Sequence, residues 1–243
     1  MSNRTALIPA RGGSVGLRLK NLNLVGGHPL VAYVIRACIE SEIFRDVVVS
    51  TDSALIAQVA RKYGARAHNR DPHPALAQDE EPAEAVVENF LQGQTKRPDW
   101  VYWVQPTSPG IRPKDLRRLA DLESQALRSV QAVSVVPHRF HEFNQRSRDR
   151  SGYLTFTHAD ERERARKRQD KVLRFAFAGV VGIKLSGKSE AIAEMFPTPS
   201  GAYILQDSCI VDVDSVEDLM LYEALLLTGQ VWDPFVGRET REV

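Results

Sequence analysis

Apolar and polar positions along this 243-residue chain follow two alternating patterns. Short, mainly apolar runs predict buried strands at 5–10, 46–52, 65–68, 100–105 and 129–136. Apolar residues at helical spacing predict helices at 29–44, 53–64, 82–92 and 114–124. Further along, the pattern predicts a strand at 173–185, a helix at 189–196, a strand at 207–214 and a closing helix at 215–229. Apolar strands that alternate with helices predict an α/β fold, with a mainly parallel sheet and helices on both faces.

The stretch 137–171 interrupts this pattern, because it is charged and poor in aliphatic residues. About 30 structureless residues inside a compact domain would be unusual. We therefore expect this stretch to pack against a second subunit. Its C-terminal part overlaps a strongly basic run, 162–174, which is either a solvated helix face or an anion-binding or subunit-contact segment.

Composition narrows the class of protein. With 43% hydrophobic and 26% charged residues and a net charge of +1, the chain is typical of a single globular domain, 1–243, and its charge does not favour nucleic acid. It has no signal-peptide pattern and no run approaching the ~18 apolar residues of a membrane helix, which predicts a cytoplasmic protein with no membrane contact. Cys38 and Cys209 lack metal-site spacing and are expected to be inert core thiols.

The loop after the first predicted strand, in "IPARGGSVGLRLKN" at 8–21, is rich in glycine and basic residues. Its glycines allow backbone N–H groups to approach an anion, while Arg11 and Lys20 add fixed positive charge. Because ligands of parallel sheets bind at the carboxyl ends of strands, the loop is placed to hold a phosphate group. It matches neither the dinucleotide-binding fingerprint nor a P-loop. The alternative is a flexible connection with solvated charges.

Two aspartates, Asp212 and Asp214, stand two residues apart in "CIVDVDSVEDL". Strand alternation would point both carboxylates to the same side. Such a pair suits Mg²⁺, which binds carboxylate and phosphate oxygens together. The alternative is a pair of turn or helix-capping acids, since a helix is predicted from Ser215.

Several ordered segments together resemble the acylneuraminate cytidylyltransferases, also called CMP-sialic acid synthetases. They are "IPARGGSVGLRLKN", "GGHPLVAYVI", "DVVVSTDSALIAQVARKYGA", "LAQD", "VQPTSPGIRP" and "IVDVDSVEDL". The resemblance runs from Ala6 to about Gly229 and is weakest between Pro137 and Gly182.

This resemblance implies transfer of CMP from CTP to the hydroxyl of an acidic sugar, with release of pyrophosphate and a requirement for Mg²⁺. It also implies a Rossmann-like nucleotidyltransferase fold in which 137–171 is an inserted dimerisation segment, and therefore a homodimer.

The resemblance also assigns roles to individual residues. Arg11 and Lys20 are the expected catalytic residues, and Gln105 and Arg168 the expected acceptor-binding residues. Asp212 and Asp214 are the expected metal ligands. The expected nucleotide-binding residues are Arg11, Gly12, Gly13, Ser14, Lys20, Asn21 and Arg70.

The chain departs from the family pattern at several positions. Val15 replaces a lysine of the phosphate loop, and Arg18, which replaces a proline, could supply the missing charge. Pro82 and Ala83 replace small hydroxyl residues near the base. On the acceptor side, the departures are Ala178 and Gly182. We therefore expect a non-standard acidic acceptor; the alternatives are activation of the standard sialic acid and a non-catalytic nucleotide-binding protein. His138 and His141, which lie in the irregular stretch, are expected to be exposed or at an interface.

Overall fold

The structure is a computed structural model that describes residues 3–13, 17–70, 82–185, 192–206 and 210–236. Its strands are β1 (Arg4–Pro9), β2 (Leu24–Val25), β3 (His28–Pro29), β4 (Asp46–Thr51), β5 (Arg66–Asn69), β6 (Trp100–Val104), β7 (Ser129–Val135), β8 (Arg146–Arg148), β9 (Leu154–Phe156), β10 (Phe175–Lys184) and β11 (Ser200–Ile204). Its α-helices are α1 (Leu30–Ser41), α2 (Ala54–Lys62), α3 (Ala83–Gln92), α4 (Pro113–Asp121), α5 (Ala159–Arg164) and α6 (Val216–Leu227).

The described strands form a seven-stranded sheet in the order β11-β7-β10-β6-β1-β4-β5. Within it β6, β1, β4 and β5 are parallel neighbours, while β10 runs antiparallel to both β6 and β7. Two short hairpins, β2–β3 and β8–β9, lie outside this sheet. The predicted mainly parallel sheet is therefore confirmed.

Helices cover both faces of the sheet. Apolar residues of α1, α2 and α4 pack on one face, where Val34, Ile56 and Leu116 are fully or almost fully buried. Residues of α3 pack on the other face, with Val87 and Phe90 completely buried. A third apolar cluster joins the β2–β3 hairpin to α6. This arrangement leaves the carboxyl ends of β1, β4 and β6 at one edge of the sheet, where the loops that follow them meet.

Two predicted elements are wrong within the described residues. The stretch 210–214 contains no strand, and 192–196 contains no helix; the preceding parts of both predictions, 207–209 and 189–191, lie outside the described residues. The strand β11, at Ser200–Ile204, was not predicted. Its extended form comes from parallel pairing with β7, so tertiary context decides it.

The irregular stretch 137–171 contains β8, β9, α5 and three short 3-10 turns. Some residues of the basic run bind within this region, which a purely solvated helix face would not do. Arg162 donates to the Phe143 carbonyl at 3.2 Å, and the guanidinium of Arg174 pairs with Glu142 at 2.6 Å. The expectation of exposed or interface histidines is wrong for His141 within this chain, since it is buried and hydrogen-bonded to the Val172 carbonyl at 3.0 Å.

The described residues include no helix that is both long enough and apolar enough to cross a membrane. Cys38 is completely buried, and burial raises the pKa of its thiol well above the ordinary range. It therefore fits the expected inert core thiol, while Cys209 lies outside the described residues.

Candidate active site

A cleft of about 500 Å³ opens at the carboxyl edge of the sheet. Three structural units supply its lining: the loop after β1, the end of β6 with the turn after it, and the segment before α6. The lining residues are Pro9, Arg11, Lys20, Asn21, Trp103, Gln105, Pro106, Thr107, Asp212 and Asp214. Six of them were predicted as site residues, although they lie far apart in the sequence.

Lys20 and Asp214 form an ion pair across this cleft. Lys20 Nζ lies 2.6 Å from Asp214 Oδ1. The lysine side chain is mostly buried at 17% exposure, whereas the aspartate is 69% exposed. An ion pair so open to water contributes little to stability, on the order of 0–1 kcal/mol. Both charges can therefore exchange partners at low cost when a charged ligand enters.

Asn21 carries an unpaired polar atom at the edge of the cleft. Its Nδ2 donates to the Arg11 carbonyl at 3.1 Å, which ties the two ends of the glycine-rich loop together. Its Oδ1 is buried and has no hydrogen-bond partner among the described residues. Such an acceptor costs about 1–3 kcal/mol, so a ligand that donates a hydrogen bond here would be stabilised.

The first part of the glycine-rich loop is held by an acidic residue that sequence reasoning missed. Gly12 N–H donates to Asp52 Oδ1 at 2.7 Å. A Cβ at Gly12 would lie 3.0 Å from Ser53 Cβ, so glycine permits this close approach. Asp52 directly follows β4, and its position at a strand end is the signal that could have identified it. Ser14 and Val15 lie outside the described residues.

Arg70 lies behind this loop rather than in the cleft. It is 4% exposed, and its guanidinium donates to the Ser50 carbonyl at 2.7 Å and to Ser50 Oγ at 3.0 Å. Burial lowers the pKa of Arg70, with Arg11 adding to the effect and Asp52 opposing it. Arg11, Arg70 and Asp52 thus form one electrostatic group with an excess of positive charge.

The segment that carries the two predicted metal ligands is extended without belonging to the sheet. Val213 N–H donates to the Thr107 carbonyl at 2.8 Å. Val211 and Val213 are buried, whereas Asp212 and Asp214 are exposed. The alternation therefore exists, although hydrogen bonds to Thr107 in the turn after β6 hold the segment in place of a strand ladder.

Residues other than Asp212 and Asp214 cap the helix that follows. Ser215 Oγ accepts from Asp218 N–H at 3.2 Å, and Asp218 Oδ2 accepts from Ser215 N–H at 2.9 Å, so this pair caps α6. The carboxylates of Asp212 and Asp214 are not needed for capping and line the cleft instead.

The chemistry of these two carboxylates fits a divalent cation. Partial burial raises the pKa of Asp212, and the neighbouring charges of Asp214 and Asp218 raise it further; Thr107 and Lys20 act in the opposite direction. A cation would relieve this repulsion. The described residues contain no cluster of three or more metal-binding side chains, but Mg²⁺ commonly uses one or two carboxylates together with phosphate oxygens and water.

Gln105 is positioned by a bulge in β10. Its N–H donates to the Gly179 carbonyl at 2.8 Å, and the pairing of β10 with β7 shifts register between Phe177 and Val181. Gly179 has a φ of +80°, and a Cβ there would lie only 2.0 Å from Ser108 Oγ. Glycine is therefore needed at this point for β10 to contact the turn that carries Gln105 and Thr107.

Two predicted acceptor-side positions lie elsewhere. Gly182 is not at the cleft: a Cβ there would lie 2.8 Å from Tyr102 Cζ, so this glycine makes room for a core tyrosine. Arg168 is exposed and lines a different cleft, of about 530 Å³, together with His138 and Lys171. Ile210 also lines that second cleft, so the segment 210–214 contributes residues to both clefts.

A family model described as cytidylyltransferase matches residues 5–158, more than half of the chain. The chain therefore belongs to the cytidylyltransferase family. Its sheet and helices are those of a Rossmann-like nucleotidyltransferase.

Curated relatives place it near enzymes of acidic sugars. It is 31% identical over 224 residues to a pseudaminic acid cytidylyltransferase of Campylobacter jejuni, covering 88% of this chain and 91% of that protein. It is 39% identical over 149 residues to N-acylneuraminate cytidylyltransferase A of Danio rerio, covering 61% of this chain. That match spans only 33% of the zebrafish protein's length, and a match to N-acylneuraminate cytidylyltransferase of Oncorhynchus mykiss spans 29% of its length.

Solved structures agree on the fold. A CMP:2-keto-3-deoxy-manno-octonic acid synthetase complexed with CTP superposes with a TM-score of 0.67 at 16% identity, covering 94% of this chain and 100% of that chain. A 4-diphosphocytidyl-2C-methyl-D-erythritolsynthase from Anaerococcus prevotii gives a TM-score of 0.63 at 11% identity, covering 93% and 99%. Likeness at these identities establishes the fold alone.

Proposed function

We propose that this chain transfers CMP from CTP to a hydroxyl group of an acidic sugar and releases pyrophosphate. The observation that carries the proposal is a cleft at the carboxyl edge of the sheet in which Arg11, Lys20 and Asn21 meet Gln105 and two aspartates. The named activities of the relatives in Campylobacter jejuni and Danio rerio support it.

In the proposed reaction the acceptor hydroxyl oxygen forms a bond with the α-phosphorus of CTP, and the hydroxyl proton is lost to water. The bond from that phosphorus to the oxygen bridging to the β-phosphorus breaks, and pyrophosphate leaves with this oxygen. No covalent intermediate with the protein is needed. Arg11 and Lys20 bind the triphosphate and stabilise its negative charge, which is the main requirement of phosphoryl transfer. The N–H group of Gly13 is proposed to donate to the phosphates, while Gly12, whose N–H donates to Asp52, holds the loop in place. Ser14 is the further proposed nucleotide-binding residue of this loop.

Asp212 and Asp214 are the proposed ligands of Mg²⁺. The bound ion supplies charge neutralisation and orientation of the triphosphate. Lys20 then leaves Asp214 and pairs with a phosphate, which the weak, exposed ion pair permits. Asn21 Oδ1 accepts a hydrogen bond from the nucleotide, and Arg70 supports the loop through its charge beside Asp52 and Arg11.

The acceptor binds near Gln105, whose amide supplies directional hydrogen bonds. Arg168 is proposed to bind the carboxylate of an acceptor in the neighbouring subunit, because in one chain it lies outside the cleft. Exposed apolar side chains around the inserted segment, including Leu154, Val172 and Leu173, support the proposed homodimer.

The proposal is tested by measuring pyrophosphate release from purified protein with Mg²⁺. CTP, GTP, UTP and ATP are each combined with sialic, legionaminic, pseudaminic, octulosonic and phosphonate acceptors. Asp214→Asn is the inactive control. Asp121→Asn is its matched partner, since Asp121 is 67% exposed and lies near Arg118, away from the cleft.

Release with CTP and a non-standard acidic acceptor is the expected result. Turnover restricted to CTP and N-acetylneuraminate would instead identify the chain as a standard sialic acid enzyme. If no pair exceeds the Asp214→Asn background while CTP still binds, the chain is a non-catalytic nucleotide-binding protein and the proposal is wrong.

Asn21→Ala should weaken CTP binding roughly tenfold, because it removes the unpaired acceptor. Titration calorimetry with CTP and Mg²⁺ measures this. Asn89→Ala is the matched control, since Asn89 Oδ1 is also buried without a partner but lies in α3, away from the cleft. Equal weakening in both variants would contradict the assignment.

The proposed homodimer predicts that Leu173→Asp yields monomers, because an unpaired carboxylate would be buried at the interface. Sedimentation velocity of the wild type and the variant measures this. Leu227→Asp, at the exposed end of α6, should leave the dimer intact. A monomeric wild type would show that the inserted segment does not form this interface.

A further inference from the structure

A buried serine of β4, Ser50, lies between the start of the glycine-rich loop and Arg70. Ser50 is completely buried. Its carbonyl oxygen accepts from Ala10 N–H at 2.9 Å and from Arg70 Nη2 at 2.7 Å. These two donors use both lone pairs of the carbonyl oxygen. One atom of Ser50 therefore holds both the backbone directly before Arg11 and the side chain of Arg70.

The hydroxyl of the same serine links Arg70 to His68. Arg70 Nε donates to Ser50 Oγ at 3.0 Å, and Ser50 Oγ lies 3.1 Å from His68 Nδ1. Ser50 and His68 are directly paired in the parallel register of β4 and β5. Paired residues of neighbouring strands point their side chains to the same face of the sheet. The contact between serine and histidine is therefore built into the sheet.

The chemistry of these three side chains determines the direction of their hydrogen bonds. A guanidinium can only donate, so Ser50 Oγ accepts from Arg70. The hydroxyl hydrogen of Ser50 is then directed to His68 Nδ1, which accepts it when that nitrogen carries no proton. Burial lowers the pKa of His68, and the charges of Arg66 and Arg70 lower it further. The neutral imidazole that this chain of bonds requires is therefore the favoured form at neutral pH.

The imidazole of His68 is itself held by the apolar core under α3. Its ring meets the Phe90 ring edge to face, with centroids 5.7 Å apart and an angle of 88° between the planes. Phe90 is completely buried. The hydrogen-bond chain through Ser50 therefore ties the guanidinium of Arg70 to a rigid part of the core.

The position of this guanidinium matters because Arg70 is a buried cation behind the glycine-rich loop. Asp52 and Arg11 act on the pKa of Arg70 in opposite directions, so the three charges are close enough to interact. Asp52 also accepts from Gly12 N–H at 2.7 Å. Electrostatic interactions at partly buried sites are strong and depend on distance. A displaced Arg70 would therefore change both the charge behind the loop and the carboxylate that holds Gly12.

We propose that Ser50 and His68 are positioning residues, which orient Arg70 and thereby raise the affinity of the glycine-rich loop for a nucleoside triphosphate. Neither side chain touches the nucleotide; both act through Arg70. This inference rests on the proposed function, because it takes the loop to bind a triphosphate.

The test measures CTP binding by titration calorimetry with Mg²⁺ and no acceptor, so that no turnover occurs. Ser50→Ala removes the hydroxyl and leaves the backbone bonds in place. His68→Leu removes the acceptor, whereas His68→Asn places an amide oxygen close to the position of Nδ1. Ser50→Ala is also measured in an Arg70→Lys background, which shows whether the serine acts through the guanidinium.

Ser129→Ala is the matched control for loss of a buried hydroxyl. Ser129 is a completely buried serine of β7 whose Oγ donates to the Pro197 carbonyl at 2.7 Å, and it does not line the cleft. Thermal unfolding of every variant shows whether it is folded. Ser50→Ala and Ser129→Ala should both lower the melting temperature, so that only the CTP affinity distinguishes them.

Ser50→Ala should weaken CTP binding about tenfold, because a bond to a charged donor is lost and Arg70 is released from the core. Ser129→Ala should bind CTP as the wild type does. His68→Leu should weaken binding severalfold, and His68→Asn should restore most of the affinity. In the Arg70→Lys background Ser50→Ala should cause little further loss. Nitrogen-15 NMR spectra of the imidazole at neutral pH should show His68 Nδ1 without a proton.

Several results would overturn the inference. They are a wild type that does not bind CTP, a Ser50→Ala variant that binds it as tightly as the wild type, and a loss that is equally large in the Arg70→Lys background. A protonated His68 Nδ1, or equal weakening in His68→Asn and His68→Leu, would do the same.

Pyrophosphate release with the panel of acceptors is measured separately on the same proteins. CTP binding that depends on Ser50 and His68 without release from any acceptor would refute the proposed function and leave this inference standing. Release by the wild type together with unchanged CTP affinity in Ser50→Ala and His68→Leu would refute this inference alone.

Discussion

Asp212→Asn should reduce pyrophosphate release by at least about 100-fold while making the ligand-free protein more resistant to heat. The loss of activity follows because one of two carboxylates at the proposed metal site is gone. The gain in stability follows because the pKa of Asp212 is raised in the fold, mainly by partial burial and by Asp214. A carboxylate with a raised pKa favours its protonated form, so its ionisation disfavours folding at neutral pH.

The pH dependence of the melting temperature tests whether ionised Asp212 destabilises the fold. Stability associated with protonated Asp212 is fully present below the pKa that this carboxyl has in the unfolded chain, and it is lost as the pH rises from there through the higher folded-state pKa. The melting temperatures of wild type and Asp212→Asn, measured in EDTA, should therefore converge as the pH falls. Adding Mg²⁺ without nucleotide should stabilise the wild type and not the variant. A variant that is less stable than wild type in EDTA at neutral pH would contradict the role given to carboxylate repulsion.

Gly179→Ala should destabilise the protein by about 3 kcal/mol, a fall in melting temperature of roughly 6–12 °C. Two effects add. The φ of +80° strains any residue with a Cβ, and the added Cβ would lie 2.5 Å from Ser108 Cβ. The collision should push the backbone at residue 179 away from Ser108. Because Gln105 N–H donates to the Gly179 carbonyl, Gln105 should move with it, which should also raise the KM for the acceptor. Thermal unfolding and steady-state kinetics measure the two consequences.

Two further variants separate strain from collision. Gly27 has a φ of +83°, and nothing lies within 4 Å of a Cβ placed there, so Gly27→Ala should show the backbone strain alone. Adding Ser108→Gly to Gly179→Ala removes the collision and should recover stability to about the level of Gly27→Ala. If the double variant is no more stable than Gly179→Ala, contact with the Ser108 side chain does not explain the need for glycine.

The order of strands and helices could be read from the sequence because it depends on local patterns. Ser53 illustrates this: it was expected to begin a helix, and its side chain accepts from Ile56 N–H at the start of α2. The location of the cleft also followed from a general rule, since loops after neighbouring parallel strands meet at one edge. Arg11, Lys20, Gln105, Asp212 and Asp214 could therefore be selected before their geometry was known.

Errors arose where a local pattern has more than one structural solution. The alternating residues around Asp212 are typical of a half-buried strand, yet they are held by hydrogen bonds to Thr107 and by the apolar cluster around Tyr222. Conversely, β11 is a strand only because β7 lies beside it. Gly182 could be assigned to the acceptor side in sequence, but its space is taken by Tyr102.

The sequence by itself determined the α/β class, the order of its elements and the charged residues of the cleft, because strand ends and short motifs carry that information locally. Only the tertiary structure decided how these residues are paired. Lys20 meets Asp214 across 194 positions of sequence, Gly12 binds Asp52, and Gly179 fits against Ser108. The meeting of Pro9, Trp103 and Pro106 in the lining of the cleft also emerged only there, because contacts between distant segments depend on packing that no local pattern encodes.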